Sequence, residues 1–271
     1  MEVVTLSPAL GVEIRGLDLR QPLDETTVAE LIELFRRHHL LLFRDQNISG
    51  ADQVRVVGHF GRLLDESRDR SGYTFVSNVR ADGRIRDGSL LFHSDLAFTE
   101  HPLNGISLYA LEMPVDGAPT LWANAARAAQ RLPASLRRAI EGRDAIHVFD
   151  LRDSRGDIRF RVADLPPTAP RAQHPVLLTN SDTGVEVLFI SEMQTDAIVG
   201  LEPDESERIL AELRALLYDD GNIYEHHWRV GDLAVWDNLA LQHGRGAPPD
   251  DEPRTLRRVP LGERAVTLYA S

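Results

Sequence analysis

The sequence predicts a mostly β protein, a sandwich or barrel of jelly-roll type with helices packed outside it. Two observations support this prediction. The chain contains many short segments of strand length, and clusters of turn residues separate them. Only four segments have the spacing of apolar residues that is typical of a helix packed on a core. No internal repeat or low-complexity tract is visible.

The first 61 residues predict a mixed opening of strands and helices, packed on the jelly roll. Val3–Leu19 has the pattern of short strands broken by proline and glycine. Asp24 is a predicted N-cap for a helix over Glu25–His38, whose apolar residues fall on one stripe. Leu40–Phe43 is an apolar run of strand length, and Ser49 begins a second helix.

From residue 91 onward the pattern is mostly strand. The predicted strands are Leu91–Phe98, Gly105–Leu111, Pro119–Ala123, Pro175–Thr179, Glu186–Ile190, Ile223–Val230, Leu233–Asp237, Leu241–His243, Thr255–Pro260 and Ala265–Tyr269. Two helical segments interrupt them: Asn124–Arg143, which Pro133 divides, and Asp204–Tyr218, which opens on an Asp-x-x-Glu capping pattern ending at Glu207. The polar stretch Asp150–Gln173 is predicted to be a long loop or lid.

The composition restricts the functional classes. A chain of 271 residues that is 42% hydrophobic and 27% charged is typical of an enzyme with one large domain over residues 1–271. It has no cysteine, so any metal must be held by His, Asp or Glu. A net charge of −12 argues against nucleic acid or an anionic membrane as the main partner. No basic and apolar leader or membrane-length apolar run is visible, which predicts a cytoplasmic location.

A candidate metal site is centred on His93-Ser94-Asp95. Residues two apart in a strand point to the same face, so His93 and Asp95 can converge on one ion. His243 is the best candidate for a third ligand, because two histidines and one carboxylate hold non-haem Fe(II) and leave positions open for other ligands. A hydrolase could use the same three residues to hold zinc.

Two arginines follow His243 at a regular spacing. If a strand runs from Arg254 through residue 260, Arg254 and Arg258 share a face while Arg257 points away. Glycines and prolines after His243 predict a turn, so we expect the strands on either side of it to pair antiparallel. Both guanidinium groups would then reach a ligand at the metal, where they suit a carboxylate.

The order and spacing of these residues resemble the taurine dioxygenase/chlorophenoxyacetate dioxygenase family of Fe(II)- and 2-oxoglutarate-dependent oxygenases. The matching pieces are HSD at 93–95, GAPTLWAN at 117–124, HPV at 174–176, GDLAVWDNLALQH at 231–243 and the Arg254 and Arg258 pair. The opening segments GVEIRGLDL, HHLLLFRDQNIS and HFGRL are similar too. The resemblance therefore covers nearly the whole chain.

The resemblance implies a double-stranded β-helix, a cupin-like jelly roll with the metal at its mouth. The implied iron ligands are His93, Asp95 and His243. Arg254 and the Thr120 hydroxyl would bind the distal carboxylate of 2-oxoglutarate, and Arg258 resembles an arginine that holds an anionic group of the substrate. The taurine enzyme has a substrate-binding asparagine where this chain has Ser89, and a histidine that residues 63–73 lack. Taurine is therefore not expected, and Ser89 and Phe189 are predicted to line the substrate pocket.

The implied reaction uses Fe(II), 2-oxoglutarate and O2 to oxidise a C–H bond of a small anionic substrate, most simply by hydroxylation, with release of succinate and CO2. Desaturation or oxidative decarboxylation of the isonitrile-forming type fits the same scaffold. A metal-dependent hydrolase and an inactive jelly-roll binding protein remain as alternatives. By resemblance, the chain is expected to form a homodimer or homotetramer.

Overall fold

The computed structural model describes residues 1–84, 88–114, 119–152, 156–247 and 252–263. Its strands are β1 (Glu2–Thr5), β2 (Val12–Arg15), β3 (Leu40–Phe43), β4 (Thr74–Ser77), β5 (Gly83–Arg84), β6 (Leu90–His93), β7 (Gly105–Glu112), β8 (Thr120–Asn124), β9 (Asp144–Val148), β10 (Arg171–Pro175), β11 (Leu177–Thr179), β12 (Glu186–Leu188), β13 (Thr195–Ile198), β14 (Ile223–His226), β15 (Leu233–Asp237), β16 (Leu241–Arg245) and β17 (Thr255–Leu261). Its α-helices are α1 (Glu25–His38), α2 (Gly50–Val57), α3 (Ala125–Gln130), α4 (Ala134–Ile140) and α5 (Pro203–Leu217). The predicted strand Ala265–Tyr269 lies outside the described residues.

Two sheets pack face to face, which confirms the predicted mostly β fold. The larger has eight strands in the order β1-β2-β3-β15-β7-β17-β4-β5, and the smaller has four in the order β14-β8-β16-β6. Trp122 and Leu241 of the smaller sheet pack in one buried cluster with Trp236 and Leu256 of the larger. A three-stranded sheet, β10-β9-β13, and the pair β11-β12 complete the strands. None of the described helices is both long and apolar enough to span a bilayer.

The N-terminal segment extends the larger sheet, because β3 pairs with β15, and its helices α1 and α2 pack on the outer face of that sheet. The β3 run is apolar throughout because both of its faces are buried. Leu40 and Leu42 join the cluster between the sheets, while Leu41 and Phe43 join a second cluster with residues of α1 and α2. The predicted bounds of α1 and its N-cap are confirmed, since the Asp24 carboxylate accepts the Thr27 N–H at 2.8 Å.

Helix α5 begins differently from the prediction. Pro203 is its first residue, Glu202 is the N-cap, and Glu202 makes no capping bond with its side chain. The predicted cap beginning at Asp204 is therefore wrong. Glu207 instead accepts a hydrogen bond from Arg159 at 2.7 Å, a long-range ion pair that the local pattern does not reveal.

The strands that flank the predicted turn after His243 do not pair with each other, so that prediction is wrong. Strand β16 pairs with β6 and β8 in the smaller sheet, whereas β17 pairs with β7 and β4 in the larger. The chain therefore crosses from one sheet to the other between His243 and Arg254. These two residues approach the same space from opposite walls of the sandwich, with the candidate site between them.

Two segments outside the predicted strands contain strands. Strand β4 is not predicted from the sequence, and it pairs with β17. Strand β10 closes the predicted lid 150–173 and pairs with β9. The two strands have only four and five residues, so pairing partners far along the chain decide their conformation. Within the second segment, Phe160 is buried against Val148 and Met193.

Candidate metal and cosubstrate site

The two histidines of the candidate metal site are direct neighbours across two strands. His93 ends β6 and lies opposite His243 of β16. Opposite residues of an antiparallel pair point to the same face, and the two ring centroids are 4.2 Å apart. The Nδ1 atom of His93 lies 2.9 Å from the Leu91 carbonyl oxygen. Because that oxygen can only accept, Nδ1 is the donor, and Nε2 faces the centre of the site with its lone pair.

Asp95 reaches the same point from a turn and not from the strand that the sequence predicted. Strand β6 ends at His93, and Leu96 takes a left-handed conformation with φ 62°. Asn238 holds this turn, since it accepts the Asp95 N–H at 2.9 Å and donates to the Asp95 carbonyl at 3.1 Å. The Asp95 Oδ1 atom then lies 3.3 Å from Nε2 of His93 and 3.7 Å from Nε2 of His243.

The charges of these three groups suit a divalent metal ion. Burial is the largest influence on Asp95 and alone would raise its pKa, but the contact with the His93 ring and the positive charge of Arg258 together hold that pKa well below its usual range. Burial and the neighbouring His93 lower the pKa of His243 to about 3. At neutral pH the site thus offers a carboxylate and a neutral imidazole. The three side chains present ligand atoms within 4.8 Å of one another, so the donor set fits Fe(II) held by two histidines and one carboxylate.

A buried cation lies on the same cavity as the metal candidates. The cavity has a volume of about 50 Å³, and Arg254 is one of its lining residues. The Arg254 residue is 3% exposed, its Nε atom has no hydrogen-bond partner, and no carboxylate of the described residues pairs with it. Burial and the charge of Arg245 lower its pKa to about 9. A buried guanidinium of this kind is best satisfied by an anionic ligand.

Thr120 lines the same cavity, and a hydrogen bond from Trp228 orients its hydroxyl group. Trp228 donates its indole N–H to Thr120 Oγ1 at 2.9 Å, so the hydroxyl hydrogen can point to a ligand carboxylate. Arg245 of β16 lies directly opposite Thr120 of β8 and donates to the Gly88 carbonyl at 2.7 Å. Sequence reasoning missed Trp228 and Arg245, because only the pairing of β8 with β14 and β16 brings them to Thr120.

Arg258 lines the cavity together with Arg254, while Arg257 faces the other side of the sheet, as the alternation along β17 predicts. Arg257 donates to Gln53 on that outer side at 2.7 Å. Arg258 is already paired with two carboxylates: it donates through Nη2 to Asp95 Oδ2 at 2.9 Å and through Nη1 to Glu66 Oε2 at 2.6 Å. Glu66 lies in a loop with no periodic pattern, which is why the sequence gave no sign of it.

Two residues predicted for the substrate pocket are not among the residues that line this cavity. Phe189 is 2% exposed and packs against the rings of His147 and His174 at 5.3 and 5.4 Å, in a cluster that includes α3 and α5. Ser89 precedes β6 and is half-buried, and the next residue, Leu90, lines the cavity in its place. Both assignments to the substrate pocket therefore stay predictions, and neither residue borders the cavity between the metal candidates and Arg254.

Comparison with known proteins gives consistent matches. The model of the family described as "Taurine catabolism dioxygenase TauD, TfdA family" matches residues 2–259. The chain is 30% identical to an α-ketoglutarate-dependent 2,4-dichlorophenoxyacetate dioxygenase of Cupriavidus pinatubonensis, over 96% of this chain and 97% of that protein. It is 29% identical to an α-ketoglutarate-dependent sulfate ester dioxygenase of Pseudomonas putida, over 96% and 89%. The crystal structure of a taurine dioxygenase from Burkholderia xenovorans matches with a TM-score of 0.80 and 28% identity, covering 97% of this chain and 91% of that one. These matches confirm the predicted jelly-roll fold.

Proposed function

We propose a reaction for this chain from one established premise: the chain belongs to the taurine catabolism dioxygenase TauD, TfdA family. Like its relatives, it is an α-ketoglutarate-dependent dioxygenase that acts on a small molecule. α-Ketoglutarate is 2-oxoglutarate. The proposed reaction oxidises a C–H bond of the substrate, most simply by hydroxylation, and releases succinate and CO2. One observation carries the proposal: Arg254, which is buried and pairs with no carboxylate of the described residues, borders the same cavity as the His, Asp, His cluster.

In this proposal His93, Asp95 and His243 hold ferrous iron. When bound, ferrous iron and 2-oxoglutarate together supply the oxidising chemistry, in which one oxygen atom of O2 enters the substrate and the other enters succinate. Arg258 determines how Asp95 binds. Because its guanidinium occupies Asp95 Oδ2, only Oδ1 faces the two imidazoles, and the aspartate acts as a ligand through one oxygen. A ligand set of three atoms leaves further coordination positions open.

The other wall of the cavity binds 2-oxoglutarate in this proposal. Arg254 pairs with its distal carboxylate, and the Thr120 hydroxyl donates a hydrogen bond to the same group. Trp228 keeps that hydroxyl in place. The buried rings of Trp122 and Trp236 pack between the sheets around the site and keep bulk water away from it.

The decisive experiment combines binding and turnover. Under anaerobic conditions, adding 2-oxoglutarate to the Fe(II)-loaded protein should produce a weak visible absorption band, and admitting O2 should then yield succinate. Arg254→Ala should lose both signals, because the distal carboxylate loses its partner. Arg36→Ala is a matched control, since Arg36 is an exposed arginine of α1.

Absence of the band and of succinate from the wild-type protein would contradict the proposal. Turnover that needs neither O2 nor 2-oxoglutarate would indicate a metal-dependent hydrolase instead. Product analysis distinguishes hydroxylation from desaturation and oxidative decarboxylation, because the three products differ in mass. The single domain over 1–271, the cytoplasmic location and the homodimer or homotetramer stay predictions, and light scattering on the purified protein tests the last of them.

A further inference from the structure

We propose that Glu66 makes this enzyme select substrates that carry no negative charge at the group facing Arg258. The inference rests on the proposed function and deepens it by naming the substrate class. It also replaces the expectation, drawn from the sequence, that Arg258 binds an anionic group of the substrate. Glu66 is thus a specificity-determining residue.

The first argument is the contact itself. Arg258 and Glu66 form an ion pair at 2.6 Å, and each side chain is 9% exposed. The second amino group of the guanidinium donates to Asp95. Charge-assisted hydrogen bonds of this length are the strong ones. A substrate carboxylate can therefore reach Nη1 of Arg258 only by displacing Glu66.

The second argument is that the backbone holds Glu66 in place. The Leu64 N–H donates to the Pro260 carbonyl at 3.0 Å, and the Gly262 N–H donates to the Arg62 carbonyl at 2.9 Å, so this segment runs beside the end of β17. The Asp65 carboxylate accepts the Ser67 N–H at 2.9 Å, which closes a turn around Glu66. A carboxylate tethered two residues from such an anchor has a high effective concentration at Arg258. A dissolved anion competes with it at a disadvantage.

The third argument is the chemistry of the remaining lining. Arg254 is the cation available to the dianionic 2-oxoglutarate, and Arg245 lies opposite Thr120 on that same side. Arg258 is shared between two carboxylates of the chain itself. Apart from these groups and the metal candidates His93, Asp95 and His243, the large side chains that line the described cavity are apolar: Val76, Leu90, Ile106, Leu108, Trp236 and Leu256. Such a surface suits an uncharged group and would leave a substrate carboxylate without a partner.

A matched pair of probes tests the inference. Phenoxyacetate and phenoxyacetamide share one skeleton and differ in the charge of the terminal group. We would measure their dissociation constants by calorimetry, on protein loaded with Mn(II) and 2-oxoglutarate and on metal-free protein. Wild-type protein should bind phenoxyacetate no more tightly than phenoxyacetamide. Glu66→Ala should bind phenoxyacetate at least about tenfold more tightly than wild type does, with a change of less than about threefold for the amide.

Two further variants make the test specific. Glu33→Gln removes the same formal charge from the exposed face of α1, where Glu33 pairs with Arg36 at 3.1 Å, and should leave both constants unchanged. Glu66→Gln keeps the size of the side chain and should give a smaller increase in affinity for phenoxyacetate. It replaces Glu66→Ala in the test if the alanine variant does not fold. Thermal melting reports on folding in each case.

Two results would overturn the inference. One is a wild-type protein that binds phenoxyacetate at least tenfold more tightly than phenoxyacetamide. The other is a folded Glu66 variant that binds phenoxyacetate no more tightly than wild type does. This also holds if wild type binds neither probe. These results can be distinguished from a failure of the proposed function. The proposed function is contradicted by absence of the visible absorption band and of succinate, whereas binding of the two probes is also measured on metal-free protein.

Discussion

Replacing Arg254 by methionine should stabilise the ligand-free protein and abolish its stabilisation by 2-oxoglutarate. The two effects have one cause. Arg254 is 3% exposed and has no carboxylate partner among the described residues, so folding buries a charge that none of those residues neutralises. The ligand carboxylate provides that compensation, and methionine cannot bind it.

The magnitude follows from the burial of this charge. Burial and Arg245 lower the pKa of Arg254 from 12.5 to about 9, which limits the cost of the buried charge to about 5 kcal/mol. Replacing buried ions by apolar residues of similar volume has gained about 1–4 kcal/mol in other proteins. Methionine retains most of the aliphatic contacts of the arginine stem. We therefore expect the free energy of unfolding of the ligand-free protein to rise by about 1–4 kcal/mol.

Urea denaturation of metal-free protein measures the first effect. The second effect is measured in the presence of Mn(II), with 2-oxoglutarate at a concentration about 100 times its dissociation constant. Bound 2-oxoglutarate should then raise the free energy of unfolding of wild type by about 2.7 kcal/mol and leave that of the variant unchanged. Arg36→Met, at an exposed position of α1, controls for the loss of a positive charge. The reasoning is refuted if Arg254→Met is less stable than wild type without ligand and 2-oxoglutarate still protects it.

Three further predictions concern single side chains. His243→Ala should weaken Fe(II) binding by more than about 100-fold, as seen by metal titration, because it removes one of three proposed ligands; unchanged iron content would count against the ligand set. Thr120→Val should raise the dissociation constant of 2-oxoglutarate about tenfold through loss of a hydrogen bond to a charged group; Trp228→Phe should raise it less, and equal affinity in all three proteins would exclude this role of the hydroxyl. Burial raises the pKa of Asp237 to about 6. The folded state therefore binds the proton of the Asp237 carboxyl group more tightly than the unfolded state does. The contribution of Asp237 to the free energy of unfolding is largest below about pH 4 and falls by up to about 3 kcal/mol as the pH rises through 6. Asp237→Asn should remove this fall in urea titrations at pH 4.5 and 7, and coincident pH profiles would refute the assignment.

The features that the sequence predicted well depend on local patterns. Helix α1 has a cap at Asp24 and a single apolar stripe, and its predicted bounds agree with the structure. The alternation along β17 is similarly local, so it predicted that Arg254 and Arg258 share a face. The spacing of His93 and Asp95 is local too, but the choice of His243 as the third ligand rested on metal chemistry and on the family resemblance, because no local pattern links it to the other two residues.

The features that the sequence did not predict depend on tertiary contacts. Asp95 lies in a turn that is held by Asn238, a residue far away along the chain. The local sequence is equally compatible with a continuous strand through Asp95. The exchange of sheets between β16 and β17 leaves no trace in composition, since a crossing and a hairpin both use glycine and proline. The Arg258 to Glu66 pair joins residues separated by 192 positions, and no local spacing reports such a contact.

The pairing of β6 with β16 has a consequence for how the proposed metal site forms. His93 and Asp95 are translated long before His243, and the register that sets the two histidines opposite each other exists only once β16 has docked beside β6. A growing chain can therefore offer two of the three proposed ligands at most, and its affinity for iron stays low until the smaller sheet closes. Binding of iron at the proposed site would then be a late step that follows completion of the sandwich, and its binding free energy would stabilise the finished fold and not the early folding intermediates.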